Sequence, residues 1–261
     1  MFVDTATATA AATPRATSVD YYPLQHAHST RKMFAQHMSA YTFAARQLAG
    51  GAVRHERRAL DAGAGQGYGT AFLADHGVQA LGVDLLLEQL TVARTTFVRP
   101  GLAFAGMDLL RLGLAGGRFN LVCSFQVIEH IPVDRQVDYL REIARVLAPS
   151  GVFCVSTLNR AVNMKSAATY TPNADHTHEF IWPELLELLR RVFRSVQPCS
   201  LLPTGRHRLM RMLKRSGVCG ALPPPWNPVE RFYARMDVHD FVVQPGAHPR
   251  AIDLLCLCRV R

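Results

Sequence analysis

Three histidines and a few carboxylates are the residues of this 261-residue chain whose types and spacing could do chemistry. His130 sits in Gln126-Val127-Ile128-Glu129-His130-Ile131-Pro132. His176 and His178 stand one residue apart in Asp175-His176-Thr177-His178-Glu179-Phe180. An imidazole titrates near neutrality and so can take a proton from a reacting hydroxyl. Paired imidazoles with acids on either side could also hold a divalent metal, or act as a base with its orienting carboxylate. Only two imidazoles cluster in the sequence, so no metal is expected.

A second constellation binds rather than reacts. Arg58-Ala59-Leu60-Asp61-Ala62-Gly63-Ala64-Gly65-Gln66-Gly67-Tyr68-Gly69 reads as a short buried strand running into a glycine turn, with a helix beginning near Tyr68. Alternate glycines tolerate positive φ and let a ligand approach bare backbone at a helix N-terminus. A second strand, Ala80-Leu81-Gly82-Val83, ends in Asp84, where an acid in a βαβ unit reaches ribose hydroxyls. A dinucleotide site asks for a third glycine where Tyr68 stands. Asp61, at the end of the buried strand, suits a cationic ligand better than a pyrophosphate. S-adenosylmethionine, with its ammonium and sulfonium, is such a ligand.

Leu60-Asp61-Ala62-Gly63-Ala64-Gly65-Gln66-Gly67 resembles the first motif of the class I S-adenosylmethionine-dependent methyltransferases. The resemblance continues in order through Gly82-Val83-Asp84, Gly106-Met107-Asp108, Phe119 to Ser124, Val127 to Ile131, and Leu140 to Gly151, covering roughly residues 30 to 200. It implies a cofactor held by Asp61, Gly63, Ala64, Gly65 and Gly67, with Asp84 and Leu85 at the ribose. Met107, Asp108 and Leu109 would surround the adenine, and Phe125 would close the site. In some resembling O-methyltransferases a histidine near His130 is the base, which makes His130 the first candidate and His176 and His178 the second. Methyl transfer from a sulfonium is a direct displacement, so the protein must align the acceptor, exclude water and take the hydroxyl proton.

The elements that position these residues alternate strand and helix, which predicts a parallel sheet covered on both sides. Asn120 to Phe125 is an unbroken apolar strand, and Val137, Leu140, Ile143, Ala144 and Leu147 share one face of the helix Asp134 to Leu147. The expected fold is α/β: a Rossmann-like, mostly parallel seven-stranded sheet with helices on both faces and the last strand, Ile252 to Val260, antiparallel. Residues 1–28 read as a flexible tail, and 29–261 as one methyltransferase domain. Within it, 29–50 forms a cap helix, and 158–180 and 203–235 are acceptor-side insertions. The second insertion carries the basic run Arg206 to Lys214-Arg215, which fits an amphipathic helix, a lid or a solvated face.

Composition narrows the class. Hydrophobic residues make up 49%, which excludes disorder for most of the chain, and no apolar run is long enough to span a bilayer. The N-terminus lacks a secretory pattern and the six cysteines read as reduced buried thiols, pointing to the cytoplasm. The +9 charge attracts anions without naming one. The expected function is methyl transfer to a hydroxyl, or less readily an amine, of a small molecule such as a sugar or secondary metabolite. Alternatives are a nucleic-acid or lipid/quinone methyltransferase, or a non-catalytic cofactor-binding scaffold. Ser124-Phe125-Gln126-Val127 stands where base-methylating enzymes carry a Pro-Pro-aromatic motif, so no nucleic-acid partner is expected.

Overall fold

In the computed structural model, which describes residues 31–48, 57–164, 170–171, 173–223 and 225–260, the alternating pattern becomes one sheet of eight strands. The expected tail over 1–28 lies outside the described residues. In chain order the elements are α1 (Arg31–Arg46), β1 (Arg58–Ala62), α2 (Tyr68–Asp75), β2 (Gln79–Asp84), α3 (Leu87–Thr96), β3 (Leu102–Gly106) and β4 (Phe119–Phe125). There follow α4 (Gln136–Val146), β5 (Leu147–Leu158), α5 (Arg160–Asn163), α6 (Trp182–Arg190), β6 (Ser195–Pro203), α7 (Gly205–Ser216), α8 (Pro228–Ala234), β7 (Phe241–Pro245) and β8 (Asp253–Arg259).

The strand order is β3-β2-β1-β4-β5-β8-β6-β7, and β1 to β5 run parallel. β8 runs antiparallel, as expected of the final strand, and is inserted between β5 and β6. β7 is an addition to the seven expected strands: it pairs antiparallel with the outer side of β6, from Cys199↔Pro245 to Pro203↔Phe241. The run Phe241-Val242-Val243 is strand-forming, and Pro245 ends it at the sheet edge, where a missing N–H is tolerated. β5 begins five residues before the expected Val152, because Leu147 already pairs with Phe119 before the register shifts. Gly151 permits that bulge, since a Cβ there would lie 2.7 Å from the Phe119 carbonyl oxygen.

Two apolar layers cover the sheet. Met38 and Tyr41 of α1 pack with Phe72 and Leu73 of α2 on one face. Leu140 and Ile143 of α4 pack with Leu185 and Leu189 of α6 on the other. Burial on both faces explains the unbroken apolar run of β4. The chain winds from β1 outward to β2 and β3, then returns to β4 on β1's other side. The loops after β1 and β4 therefore flank the switch point where open α/β sheets bind ligands.

The glycine turn is tightly built. Gly67 has φ +80, and a Cβ there would sit 2.6 Å from both Ala93 Cβ and the Phe104 ring. Gly67→Ala is therefore expected to destabilise the fold by about 3 kcal/mol, combining left-handed strain with overpacking. Thermal denaturation checks this, and an unchanged midpoint would show that the turn relaxes at no cost.

Candidate functional site: the crevice at the strand ends

The residues at the carboxyl ends of β1, β2 and β3 form the first half of the site. Gly63, Gly65 and Gly67 all have positive φ. The Gly63 and Ala64 amides donate to the Val83 carbonyl, at 2.8 and 3.0 Å, tying the turn to β2. The Gly65 N–H donates to Asp84 Oδ2 at 2.8 Å, and the Leu86 N–H to Oδ1 at 2.9 Å. Asp84 is thus oriented at the strand end by two backbone amides. A Cβ built on Gly65 meets nothing within 4 Å, so this side of the turn is open to a ligand. Asp108 is exposed just past β3, and Leu85 is exposed beside Asp84. Met107 is half-buried, whereas Leu109 and Ala64 are buried. Paired acids at the ends of β2 and β3, apolar neighbours and bare backbone fit an adenosine bound along the strand ends.

Asp61 sits differently from the other acids. It is fully buried and accepts hydrogen bonds from Tyr41 Oη at 2.9 and 3.1 Å and from Thr70 Oγ1 at 2.6 Å. Burial pushes its carboxyl up to about 6, against the pull of those hydroxyls. The resemblance places Asp61 near the methionine end of the cofactor, in contact directly or through water. The structure turns its carboxylate onto α1 and α2, where it fastens both helices to β1. Phe125 stacks edge-on against the same Tyr41, with ring centroids 4.8 Å apart.

The second half is a cleft of about 570 Å³ beyond β4 and β5, roofed by α1, α7 and α8. Gln126 opens it with φ +57, the single positive value among the described non-glycine residues. Such backbone strain concentrates at functional sites. Glu129, His130 and His176 line one wall, and Lys32, Arg211 and Arg215 bring positive charge to the other. His37 lies between; its Nδ1 is 2.8 Å from Tyr68 Oη, and burial pushes the ring down to about 4. Asp253, fully enclosed, is pushed up to about 7 by burial although Gln36 Nε2 donates to both its oxygens at 2.8 Å.

The three candidate histidines part company. His130 and His176 meet with ring centroids 4.9 Å apart. His130 Nδ1 donates to the Asp175 carbonyl at 2.9 Å, and His176 Nδ1 donates to Glu179 Oε1 at 2.8 Å. His178 turns elsewhere: its Nε2 pairs with Glu184 Oε2 at 3.2 Å and its ring packs on Phe180, and it does not line the cleft. Glu184 also accepts the Ile181 N–H at 3.1 Å, which supplies the capping that the sequence lacked before α6. Trp182 is buried in the core and donates to the His248 carbonyl.

Sequence reasoning did not single out Glu129, Asp253 or His207. Glu129 is 1% exposed and neither carboxylate oxygen completes a hydrogen bond. His207 is equally enclosed among the rings of Phe232, Tyr233 and Phe241, with both nitrogens unpartnered. For Glu129 the available signal was a carboxylate next to His130 in a loop of otherwise apolar residues.

Residues 60–155 match the methyltransferase domain model. A probable S-adenosylmethionine-dependent methyltransferase of Mycobacterium tuberculosis is 32% identical over 211 residues, spanning 76% of this chain and 73% of that protein. The chain belongs to the S-adenosylmethionine-dependent methyltransferases. A Mycolicibacterium smegmatis member is 35% identical over 162 residues, and there the match spans 60% of this chain and 56% of the relative, a little over half its length. A ubiquinone biosynthesis O-methyltransferase of Methylococcus capsulatus is 32% identical over 142 residues, covering 53% of this chain and 55% of that one. Among solved methyltransferases, the Burkholderia thailandensis 1,6-didemethyltoxoflavin-N1-methyltransferase, with S-adenosylhomocysteine bound, superposes with a TM-score of 0.54 at 20% identity, over 87% of this chain and 78% of that one. The cofactor of the family is S-adenosylmethionine.

Proposed function

We propose that this protein transfers a methyl group to a hydroxyl oxygen of a small molecule seated in the cleft, and that the Glu129, His130 and His176 group takes the hydroxyl proton. When bound, S-adenosylmethionine supplies the electrophilic methyl carbon. Asp84 would hold the ribose, Asp108 the adenine edge, and the glycine turn the methionine end. One observation carries the reading: His130 has its Nδ1 fixed on a carbonyl, leaving Nε2 open in a cleft that begins one residue past β4. An amine attacks with its own lone pair, whereas a hydroxyl must lose a proton, so a built proton acceptor favours oxygen. The ubiquinone O-methyltransferase relative supports the same preference. A volume near 570 Å³ suits a small acceptor, and Lys32, Arg211 and Arg215 suit an anionic group on it. We read 29–261 as one such domain, with α1 as cap and 158–180 and 203–235 shaping the acceptor side.

His130→Ala is expected to lower kcat with hydroxylated acceptors by about 100-fold or more while S-adenosylhomocysteine binding is unchanged. Transfer of labelled methyl into a panel of phenols, sugars and hydroxy acids supplies the assay. Equal turnover by variant and wild type would remove the proton-transfer role.

A second reading, an acceptor with a lipid-like tail, has its own observation. Leu209 and Met212 are 50% and 67% exposed among the arginines of α7, and Trp226, between α7 and α8, is 74% exposed. Among the described residues no helix is long and apolar enough to cross a membrane, so such an acceptor would be met at a surface. It predicts kcat/KM rising with tail length, and a flat series would reject it.

A further inference from the structure

Glu129, His130 and His176 each offer one ligand atom, and these three atoms lie within 4.8 Å of one another. In both imidazoles Nδ1 is committed as a donor, one to the Asp175 carbonyl and one to Glu179 Oε1. That fixes the tautomer and leaves Nε2 as the lone-pair atom of each ring. Metal-bound histidines are commonly held in this way, by a carbonyl or carboxylate on the far nitrogen. Asn173 Nδ2 lies 3.2 Å from His176 Nε2, a donor that occupies the lone pair as a cation would.

The carboxylate is the independent observation. Glu129 lines the cleft, is 1% exposed and has no hydrogen bond on either oxygen. The Thr157 hydroxyl and the residue's own backbone N–H lie close to the carboxylate, but neither completes a well-formed hydrogen bond to it. A buried carboxylate without a completed hydrogen bond costs free energy, which either a proton or a cation would relieve. The loop is nonetheless held firmly: Thr177 donates from its backbone N–H and Oγ1 to the Glu129 carbonyl, at 2.7 and 3.0 Å, which brings the His176 loop against the Glu129-His130 turn. The fold therefore draws together two chain segments nearly fifty residues apart around a carboxylate that has no internal partner.

We propose that Glu129, His130 and His176 form a binding site for a divalent transition-metal cation, zinc or a similar ion, opening onto the acceptor cleft. Two nitrogens and one oxygen are a familiar ligand set for a catalytic centre that keeps a position free. Ligands about 2.1 Å from zinc stand about 3.4 Å apart in a tetrahedron, so atoms within 4.8 Å of one another draw in by at most about 1.4 Å on binding. The site rests on the methyl transfer proposed above for its use and, when loaded, replaces the proton-accepting role given there to His130 by that of a ligand. An acceptor hydroxyl in the free position would be acidified by the ion and lose its proton to water. Its oxygen then bonds to the methyl carbon as the carbon–sulfur bond breaks and the electron pair goes to sulfur. His130 would serve as a ligand in that arrangement rather than as the base itself.

The test is titration of chelator-treated full-length protein with Zn2+ by calorimetry, and with Co2+ by visible absorption, for wild type, Glu129→Gln, His176→Ala and His178→Ala. Wild type is expected to bind one equivalent, with cobalt bands of a nitrogen–oxygen site. Glu129→Gln and His176→Ala should each weaken binding by about 100-fold, while His178→Ala matches wild type. Glu179→Gln, which loosens the support of His176 without removing a ligand, should cost about tenfold. Should His176→Ala fail to fold, Glu129→Gln still decides. The idea is overturned if no stoichiometric binding occurs, if Glu129→Gln binds as wild type does, or if His178→Ala loses the ion as His176→Ala does. S-adenosylhomocysteine binding on the same samples tests the methyltransferase reading separately.

Discussion

Replacing Asp84 with alanine is expected to weaken S-adenosylhomocysteine binding by about 100-fold. The carboxylate does two things at once. It accepts the Gly65 and Leu86 amides, so it holds the glycine turn in its open shape. It also stands at the end of β2, paired there with Gly106 of β3, where a ribose diol would bind it with two charge-assisted hydrogen bonds. Hydrogen bonds to a charged group are worth about 1.5–3 kcal/mol each, which sets the magnitude. Asp108→Ala should cost less, about tenfold, because that carboxylate is exposed and orders only its own loop through the Leu110 N–H. Calorimetry on both variants checks the ranking. A dissociation constant for Asp84→Ala equal to that of wild type would move the cofactor away from the β2 end.

The second large effect is on stability. Asp253 is buried and its carboxyl is pushed up to about 7, whereas in the unfolded chain it titrates near 4. A carboxyl whose folded value is raised binds its proton more tightly in the native state. Its contribution to stability is whole below pH 4, is lost as the pH rises toward 7, and is gone above that. Asp253→Asn carries no such dependence and keeps a partner for Gln36. The stability gap in favour of the variant should widen by about 2–3 kcal/mol between pH 5 and pH 8. Urea denaturation at the two pH values measures it. A constant gap would mean that Asp253 ionises at an ordinary value, with Gln36 and Lys32 compensating its burial.

The parts of the site legible in the sequence are those made by neighbours along the chain. Gly63 to Gly67 and Asp84 belong to one βαβ unit, and strand pairing alone puts Gly65 within reach of Asp84. Asp108 follows β3 by two residues and shares that logic. The cleft wall was less legible because it is assembled over distance. His176 and His178 look equivalent in sequence, yet Thr177 anchors the loop on Glu129 and Ile131, and this turns His176 inward while His178 goes to Glu184. Glu129 carried no pattern of its own, since its meaning depends on what fails to reach it. Asp61 shows the reverse: its type suggested a ligand, and its partners turned out to be Tyr41 and Thr70. For the fold, hydrophobic pattern placed β1 to β6 and the final strand. It left β7 unassigned, because a short edge strand after a long excursion has little pattern to read.

The excursion between β6 and β7 has a geometry with an evolutionary reading. Pro203 and Phe241 are register partners, so the chain leaves the sheet and comes back to it at one rung, with α7 and α8 between. Residues 204–240 thus amount to the loop of a β-hairpin grown large. Because closing a longer loop costs only slowly more, its length and composition can vary without disturbing the strands that carry it. Arg211, Arg215 and Tyr233 reach the acceptor cleft from this segment, while the glycine turn, Asp84 and Asp108 belong to the sheet. Under the proposed function, the architecture separates the residues assigned to the cofactor from those assigned to the acceptor. New acceptors could be recruited by exchanging one cassette at a single rung of the ladder, leaving cofactor chemistry untouched.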